Sequence, residues 1–172
     1  MPRYYKYRRS YFKKSYPRKR WATNINNSAV GVTIGSGSNS AESTSDVCSN
    51  STQAHVPTPV IVKFGRVKIK GDVRTSLDNA NNFVTGRMFV CFVPQGATLN
   101  LDLINDHPEY IIGWTTVSMD SGNTFSFSSA LKRNLNSGDS IKILFRCDSF
   151  SNLQNNQTFG FSYICQFWTT SA

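Results

Sequence analysis

The strongest constraint on the fold is an alternation of apolar and polar side chains that begins near residue 58 and continues to the end of the chain. Residues 159–167 show it most clearly, because every second residue there is aromatic or cysteine. Residues 141–147 repeat the pattern, apart from Leu144. A period of two is typical of a β-strand with one buried face. Residues 88–93 are apolar on both faces, which predicts a central strand covered on both sides.

The alternation changes phase once inside a predicted strand. Val62 and Phe64 share one face, whereas the apolar residues beyond Gly65, namely Val67 and Ile69, have the opposite parity. A glycine at such a phase change indicates a β-bulge or a sharp bend.

Turn signals separate the predicted strands, at residues 94–96, 120–123 and 136–139. Residues 97–104 and 130–133 are each compatible with one or two helical turns, and the former also with a short strand. About seven or eight strands spaced in this way predict a sandwich or a barrel. Connections of about 15–20 residues favour a jelly roll over a meander. We therefore expect an all-β fold, a single eight-stranded jelly roll (an antiparallel β-sandwich).

Composition divides the chain into three parts. Residues 1–21 form a basic and aromatic arm that we expect to be disordered. Residues 22–57 form a polar spacer, in which residues 29–34 are a candidate first strand. Residues 58–172 form the jelly-roll body, which is long enough for one domain.

The basic charge is concentrated in the arm. Residues 1–20 hold nine of the nineteen Lys and Arg residues and no acidic residue, whereas residues 21–172 hold ten basic and ten acidic residues. The formal net charge of +9 therefore belongs to the arm. Cations bind phosphates and aromatic rings stack on any base, so the arm predicts a single-stranded nucleic acid as partner. The predicted contact residues are Arg3, Tyr4, Tyr5, Lys6, Tyr7, Arg8, Arg9, Tyr11, Phe12, Lys13, Lys14, Tyr16, Arg18, Lys19, Arg20 and Trp21.

Other interpretations of the arm remain open. It is compatible with a solvated tail, and the helical spacing of Tyr4, Tyr7 and Tyr11 with an amphipathic helix on a membrane surface. A mitochondrial presequence is disfavoured by Pro17 and by the many tyrosines. The basic clusters also suit recognition by host nuclear import receptors.

A second basic cluster lies in the body. Arg66, Lys68 and Lys70 share one face of a predicted strand, with Lys63 and Arg74 nearby. The cluster is either a solvated strand face or a continuation of the nucleic-acid path, and we include Arg66, Lys68 and Lys70 among the predicted contacts.

The sequence offers little for catalysis, and we predict neither an enzyme nor a cofactor. Both histidines lie in loop-like sequence, and no motif of a hydrolase or a phosphate loop occurs. The carboxylates of Asp102, Asp106 and Glu109 are close enough in sequence to bind a cation, although solvated carboxylates are the commoner case.

The four cysteines do not have the spacing of a zinc site. Cys91, Cys147 and Cys165 fall in apolar strand segments, so we expect them to be reduced and buried.

Five segments give the chain a resemblance to a known family. They are MPRYYKYRR at the start, VKFGRVKIKGDV at 62–73, HPEYIIGW at 107–114, KRNLNSGDSI at 132–141 and FGFSYICQFW at 159–168. With them, the chain resembles over its whole length the coat (capsid) proteins of circovirus-like, rolling-circle single-stranded DNA viruses.

The resemblance implies a jelly roll that self-assembles into a small icosahedral shell, with the arms inside and a single-stranded genome, DNA favoured over RNA. It also implies a virion protein that visits the host nucleus and has no membrane partner. If about sixty copies form the shell and each contributes nine arm charges, the arms together neutralise roughly 540 phosphates.

Three other functions remain open. The first is a non-viral β-sandwich module that binds single-stranded nucleic acid through a basic tail. The second is the coat protein of a small RNA satellite virus. The third is a membrane-active basic peptide fused to a lectin-like sandwich.

Overall fold

A computed structural model describes residues 20–51, 61–75, 84–119 and 123–171. Within these residues the chain forms nine β-strands, one α-helix and one short 3₁₀ helix. The strands are β1 (Ala22–Ile34), β2 (Ser40–Ser49), β3 (Val62–Thr75), β4 (Val84–Val93), β5 (Ile111–Ser118), β6 (Thr124–Ser129), β7 (Arg133–Leu135), β8 (Ser140–Ser149) and β9 (Gln157–Ser171). The helices are α1 (Leu101–Asp106) and the 3₁₀ helix Pro108–Tyr110.

The strands form two antiparallel layers. In the first sheet the order is β1-β9-β3-β6, and the short β7 also pairs with β3. In the second sheet the order is β2-β8-β4-β5. Because the chain crosses repeatedly from one layer to the other, strands distant in sequence become neighbours. This interleaved order is that of a jelly roll with two Greek keys, so the predicted all-β fold is confirmed. Of the arm, only Arg20 and Trp21 lie within the described residues.

The polar spacer expected at residues 22–57 is wrong for most of its length. β1 starts at Ala22 and pairs with β9 over all its residues, and β2 pairs with β8 in the second sheet. The sequence did not reveal these strands because Asn or Ser residues occupy many of their half-buried positions, so the apolar alternation is missing there. The main-chain hydrogen bonds that pair these strands with β9 and β8 do not depend on side-chain identity, so the side-chain pattern does not predict them.

The phase change at Gly65 is a β-bulge, as predicted. Phe64 lies opposite Thr169 and Val67 lies opposite Phe167, so Gly65 and Arg66 together face Trp168. The extra residue restores the inward direction of Val67, which is fully buried.

Aromatic rings fill the space between the two sheets. Phe145 of β8 stacks on Phe161 of β9 with 4.6 Å between ring centroids, and Phe125 meets both rings edge-on. Tyr163 is also buried, and its hydroxyl donates to Ser45 Oγ at 2.6 Å. This bond joins β9 to β2 across the core and satisfies the buried polar group at the ring's end.

A second, smaller core lies on the outer face of the second sheet. Cys91 and Leu144 are fully buried there beneath Leu99 and Ile104. This cover explains why residues 88–93 are apolar on both faces and why Leu144 interrupts the alternation. The covering helix is α1, whose first turn is capped by Asn100.

The two helical turns expected from sequence had different outcomes. The region 97–104 does contain the start of a helix, because α1 begins at residue 101. The expectation for 130–133 is wrong, since residues 130–132 have no regular structure and β7 begins at Arg133. Pairing of β7 with β3 supplies the hydrogen bonds that a helical turn would have made within itself.

Buried polar groups fix the turn before β8. The carboxylate of Asp139 is 6% exposed and accepts the backbone N–H groups of Gln95 at 3.1 Å and Asn136 at 2.8 Å. Gly96 and Gly138 have φ angles of 82° and 85°, the left-handed values that their predicted turns require. The predicted turn at 120–123 lies outside the described residues, except for Asn123.

Candidate nucleic-acid interface

The base of the arm lies against the first sheet. Trp21 precedes β1, and its ring crosses β9 to cover Gly65 of β3. A Cβ atom at residue 65 would stand 2.6 Å from Cζ3 of Trp21, so the glycine is what allows this close approach. Lys132 Nζ lies 5.6 Å from the centroid of the same ring, a cation–π distance. Trp21, the last residue of the arm, therefore lies on the outer face of the first sheet.

The predicted basic cluster is on that same face. Lys68 of β3 lies opposite Gln166 of β9 and Ser128 of β6, and Lys70 lies opposite Ile164 and Ser126. Directly opposite residues share a face of the sheet, and all four of these neighbours are uncharged. Arg66 and Lys70 are exposed, and Lys68 is partly exposed. The structure thus brings Arg66, Lys68 and Lys70 together as the sequence predicted.

The charge on this face is largely unpaired. β3 contributes five basic residues and one acidic residue, Asp72, whose carboxylate lies 3.3 Å from Nε of Arg74. Among the described residues, Lys63, Arg66, Lys68 and Lys70 have no carboxylate partner within salt-bridge distance. We name the group of Arg66, Lys68 and Lys70 the β3 stripe.

The second sheet has the same number of basic residues as the β3 stripe, but they are paired. On its outer face Lys142 lies 3.0 Å from Asp46, and Arg146 lies 2.8 Å from Asp148. The remaining two pairs are longer: Arg146 with Glu42 at 3.5 Å and Arg87 with Asp148 at 3.9 Å. Three bases and three acids cancel on this sheet, so the two faces of the sandwich differ in electrostatic character.

A cleft opens where the arm meets the first sheet. It is open to solvent, has a volume of about 400 Å³ and is lined by Trp21, Gly65, Arg66, Lys132 and Trp168. Sequence analysis missed Lys132 and Trp168, because they join the site only through the pairing of distant strands. Both residues have the chemistry of a nucleic-acid contact, since one is a cation and the other is aromatic. Their neighbours in the sequence give no indication that they lie next to Trp21.

The acidic cluster considered for a cation does not form a site. Asp102, Asp106 and Glu109 are all exposed, and no group of three or more metal-ligating side chains is assembled among the described residues. Glu109 instead bonds its neighbour, with Oε1 3.0 Å from Nδ1 of His107. Backbone hydrogen bonding at Glu109, and then this side-chain bond, lower the pKa of Glu109. His55 lies outside the described residues.

The expectation for the three strand cysteines is confirmed. Cys91, Cys147 and Cys165 are buried and unpaired. Burial disfavours the thiolate and raises the pKa of each to about 12 from 9.0, with a smaller effect of the Asp148 charge on Cys147. Above pH 9 the unfolded chain releases these protons, whereas the folded chain keeps them until about pH 12. The free energy of unfolding must therefore fall as pH rises through this window.

The structure also bears on the membrane interpretation of the chain. No helix among the residues described is long and apolar enough to cross a membrane. Arg3 to Lys19, and with them the helical spacing of Tyr4, Tyr7 and Tyr11, lie outside the described residues.

Comparisons with known proteins give matches only among solved structures. No family model matches this chain, and no curated protein matches it significantly. A chain of Mud crab tombus-like virus aligns with a TM-score of 0.39 and 8% identity, covering 94% of this chain and 95% of its own. The BFDV capsid protein, whose crystal structure is decameric, aligns with a TM-score of 0.37 and 8% identity over 89% and 100%. A chain of Desmodium yellow mottle tymovirus aligns with a TM-score of 0.30 and 11% identity over 88% and 89%.

Proposed function

We propose that this chain is a viral capsid protein that self-assembles into a small icosahedral shell and packages a single-stranded nucleic acid. Its role is structural and not enzymatic. The arm at residues 1–21 and the β3 stripe together bind the nucleic acid, through phosphate contacts and stacking that read no sequence.

The observation that carries the proposal is the contrast between unpaired basic residues on one face of the sandwich and paired ones on the other. Trp21, the last residue of the arm, lies on the sheet face that also carries the β3 stripe, and residues 1–20 of the sequence add nine basic residues. The opposite face is neutral through its ion pairs. A molecule polarised in this way directs one side to a polyanion and leaves the other free of long-range repulsion between copies.

Exposed apolar side chains support contacts between copies. Phe150, in the connection between β8 and β9, is 92% exposed, and Trp114 on the second sheet is 58% exposed. Burying such a ring against a second copy of the chain would remove its apolar surface from water, which favours association. We infer that strand-connecting loops such as the one at Phe150 make subunit contacts.

The finer features follow from the same proposal. The genome is DNA in preference to RNA, about sixty copies close the shell as the resemblance implies, and the phosphates neutralised by their arms number in the hundreds. The protein resides in the virion and passes through the host nucleus, where import receptors recognise the basic clusters of the arm.

Assembly of the purified chain tests the proposal. Sedimentation and negative-stain electron microscopy should show particles of capsid size when single-stranded DNA is added at moderate salt. Particles should dissociate or fail to form after nuclease treatment at high salt, because a ligand that binds the assembled state stabilises it. A chain that remains monomeric or dimeric with both DNA and RNA is a nucleic-acid-binding module, and the capsid proposal is then wrong.

A matched pair of variants locates the contacts. Phe150→Ser should reduce particle formation without changing the midpoint of thermal unfolding, since the ring is exposed in the single chain. Ile25→Ser, which replaces an exposed apolar side chain of β1 that is not among the predicted contacts, is the control and should leave particle formation intact. If the two variants assemble equally, the loop at Phe150 is not a subunit contact.

A further inference from the structure

The cleft at the base of the arm is built around the bulge in β3. Two residues, Gly65 and Arg66, face the single residue Trp168 of β9. A bulge bends its strand and redirects the side chains next to it, and bulges are common beside binding sites. Here the bulge places Arg66 in the lining of a cleft to which Trp21 and Trp168 also contribute.

The two tryptophans of the cleft project from the same sheet face. Trp168 lies opposite Thr23, and Trp21 precedes Thr23 by two residues. Trp21 is held by Gly65 and Lys132, yet it remains 37% exposed. Trp168 is only partly buried and has a polar threonine as its partner on β1. Because Trp168 projects from the outer face of the sheet and is only partly buried, part of its indole is available to a flat ligand.

The charged residues that line the cleft narrow the class of ligand further. Arg66 and Lys132 are both exposed, and the residues that line the cleft include no carboxylate. A ligand that satisfies two indole rings and two cations has a flat aromatic part and a negative part. A nucleotide has both, and the volume of this open cleft, about 400 Å³, is in the range of small-ligand sites.

We propose that this cleft binds one nucleobase of the single strand, with the ring of Trp168 as the stacking surface and with Arg66 and Lys132 on the adjacent phosphate. The inference rests on the proposed function, and it specifies where the strand passes from the arm to the body. The site takes any base, because stacking on an indole does not depend on base identity.

Competition between two oligomers tests the site with the full chain. The first is a short oligo-dT and the second is an abasic oligomer of equal length, which keeps the phosphates and lacks the bases. Trp168→Leu should reduce the preference for oligo-dT over the abasic oligomer by at least about fivefold, the lower limit for loss of one stacked base. The salt dependence of binding should not change, because no charge is removed.

Trp114→Leu is the matched control, since Trp114 is an exposed indole on the opposite sheet. Gly65→Ala provides a second route that leaves Trp168 in place. Its new Cβ would stand 2.6 Å from Cζ3 of Trp21, so the Trp21 ring must move and the cleft must change shape. It should lower the same preference even if Trp168→Leu fails to fold.

The outcomes separate this site from the proposed function. If the unmodified chain assembles and binds both oligomers but Trp168→Leu and Trp114→Leu have equal preferences, the base site is wrong and the capsid function stands. Loss of particles in Trp168→Leu with an unchanged preference would mean that a second copy of the chain fills the cleft, which also overturns the base site. If the unmodified chain neither binds nor assembles, both proposals fail.

Discussion

Neutralising the β3 stripe tests whether the body of this protein, and not only its arm, contacts nucleic acid. The variant replaces Arg66, Lys68 and Lys70 by Gln in the full chain. Each of these side chains projects from the outer face of the first sheet, and no carboxylate of the described residues lies within salt-bridge distance. All three charges are therefore available to phosphates.

The expected magnitude follows from counterion release. For single strands, the slope of log K against log salt is about −0.7 per neutralised phosphate. Three lost contacts should make the slope less steep by about 2. At 0.1 M salt the same contribution amounts to roughly a hundredfold in affinity. Fluorescence anisotropy of a labelled oligo-dT between low and high salt measures the slope, at protein concentrations too low to give particles.

The second sheet supplies a control of equal charge. Replacing Arg87, Lys142 and Arg146 by Gln also removes three positive charges, but each of them already faces a carboxylate. Its slope should change by well under one unit, and the partly exposed ion pairs it breaks stabilise the fold by about 1 kcal/mol each. Equal slope changes in the two variants would show that only net charge matters, and the assignment of a binding face would be wrong.

Three further predictions concern stability. Phe145→Ala removes the ring stacked on Phe161 and should lower the free energy of unfolding by about 3–5 kcal/mol in urea titrations, whereas Phe150→Ala should change it by less than about 0.5 kcal/mol; similar values would contradict the assigned core. Asp139→Ala leaves two backbone N–H groups without their acceptor and should cost about 1–3 kcal/mol, against almost nothing for the exposed Asp106→Ala. Between pH 9 and 10 the free energy of unfolding should fall by about 1 kcal/mol for each buried thiol, so Cys165→Ala should flatten that fall by this amount, and an unchanged pH profile would argue against burial as the cause of the raised pKa.

The residues that alternate strongly allowed the sequence to predict their strands. Residues 159–167 place large side chains between the sheets, and the phase change at Gly65 marked a real bulge. The strand face that carries Cys91 was predicted to be buried, but the sequence did not predict that α1 covers it. Each of these features is local, because it depends only on residues that are consecutive in the sequence.

The missed parts depend on partners distant in the chain. β2 is rich in Ser and Thr, and its place in the sandwich comes from main-chain pairing with β8 and from the Tyr163 bond to Ser45. Likewise, the β3 stripe could be found by its own alternation, whereas Trp168 and Lys132 join Trp21 only once the fold exists. Sequence therefore predicts a strand face better than a cleft between strands.

The separate small core beneath α1 gives the three buried thiols different kinetic accessibility. Cys91 is covered by a six-residue helix and its approach, so a local opening of that segment is enough to expose it. Cys147 and Cys165 lie between the sheets, where exposure requires the layers to separate. A thiol reagent applied to the native protein should thus modify Cys91 at the rate of a sub-global fluctuation and the other two at the rate of global unfolding. One thiol reagent applied to one chain would therefore report two separate opening rates.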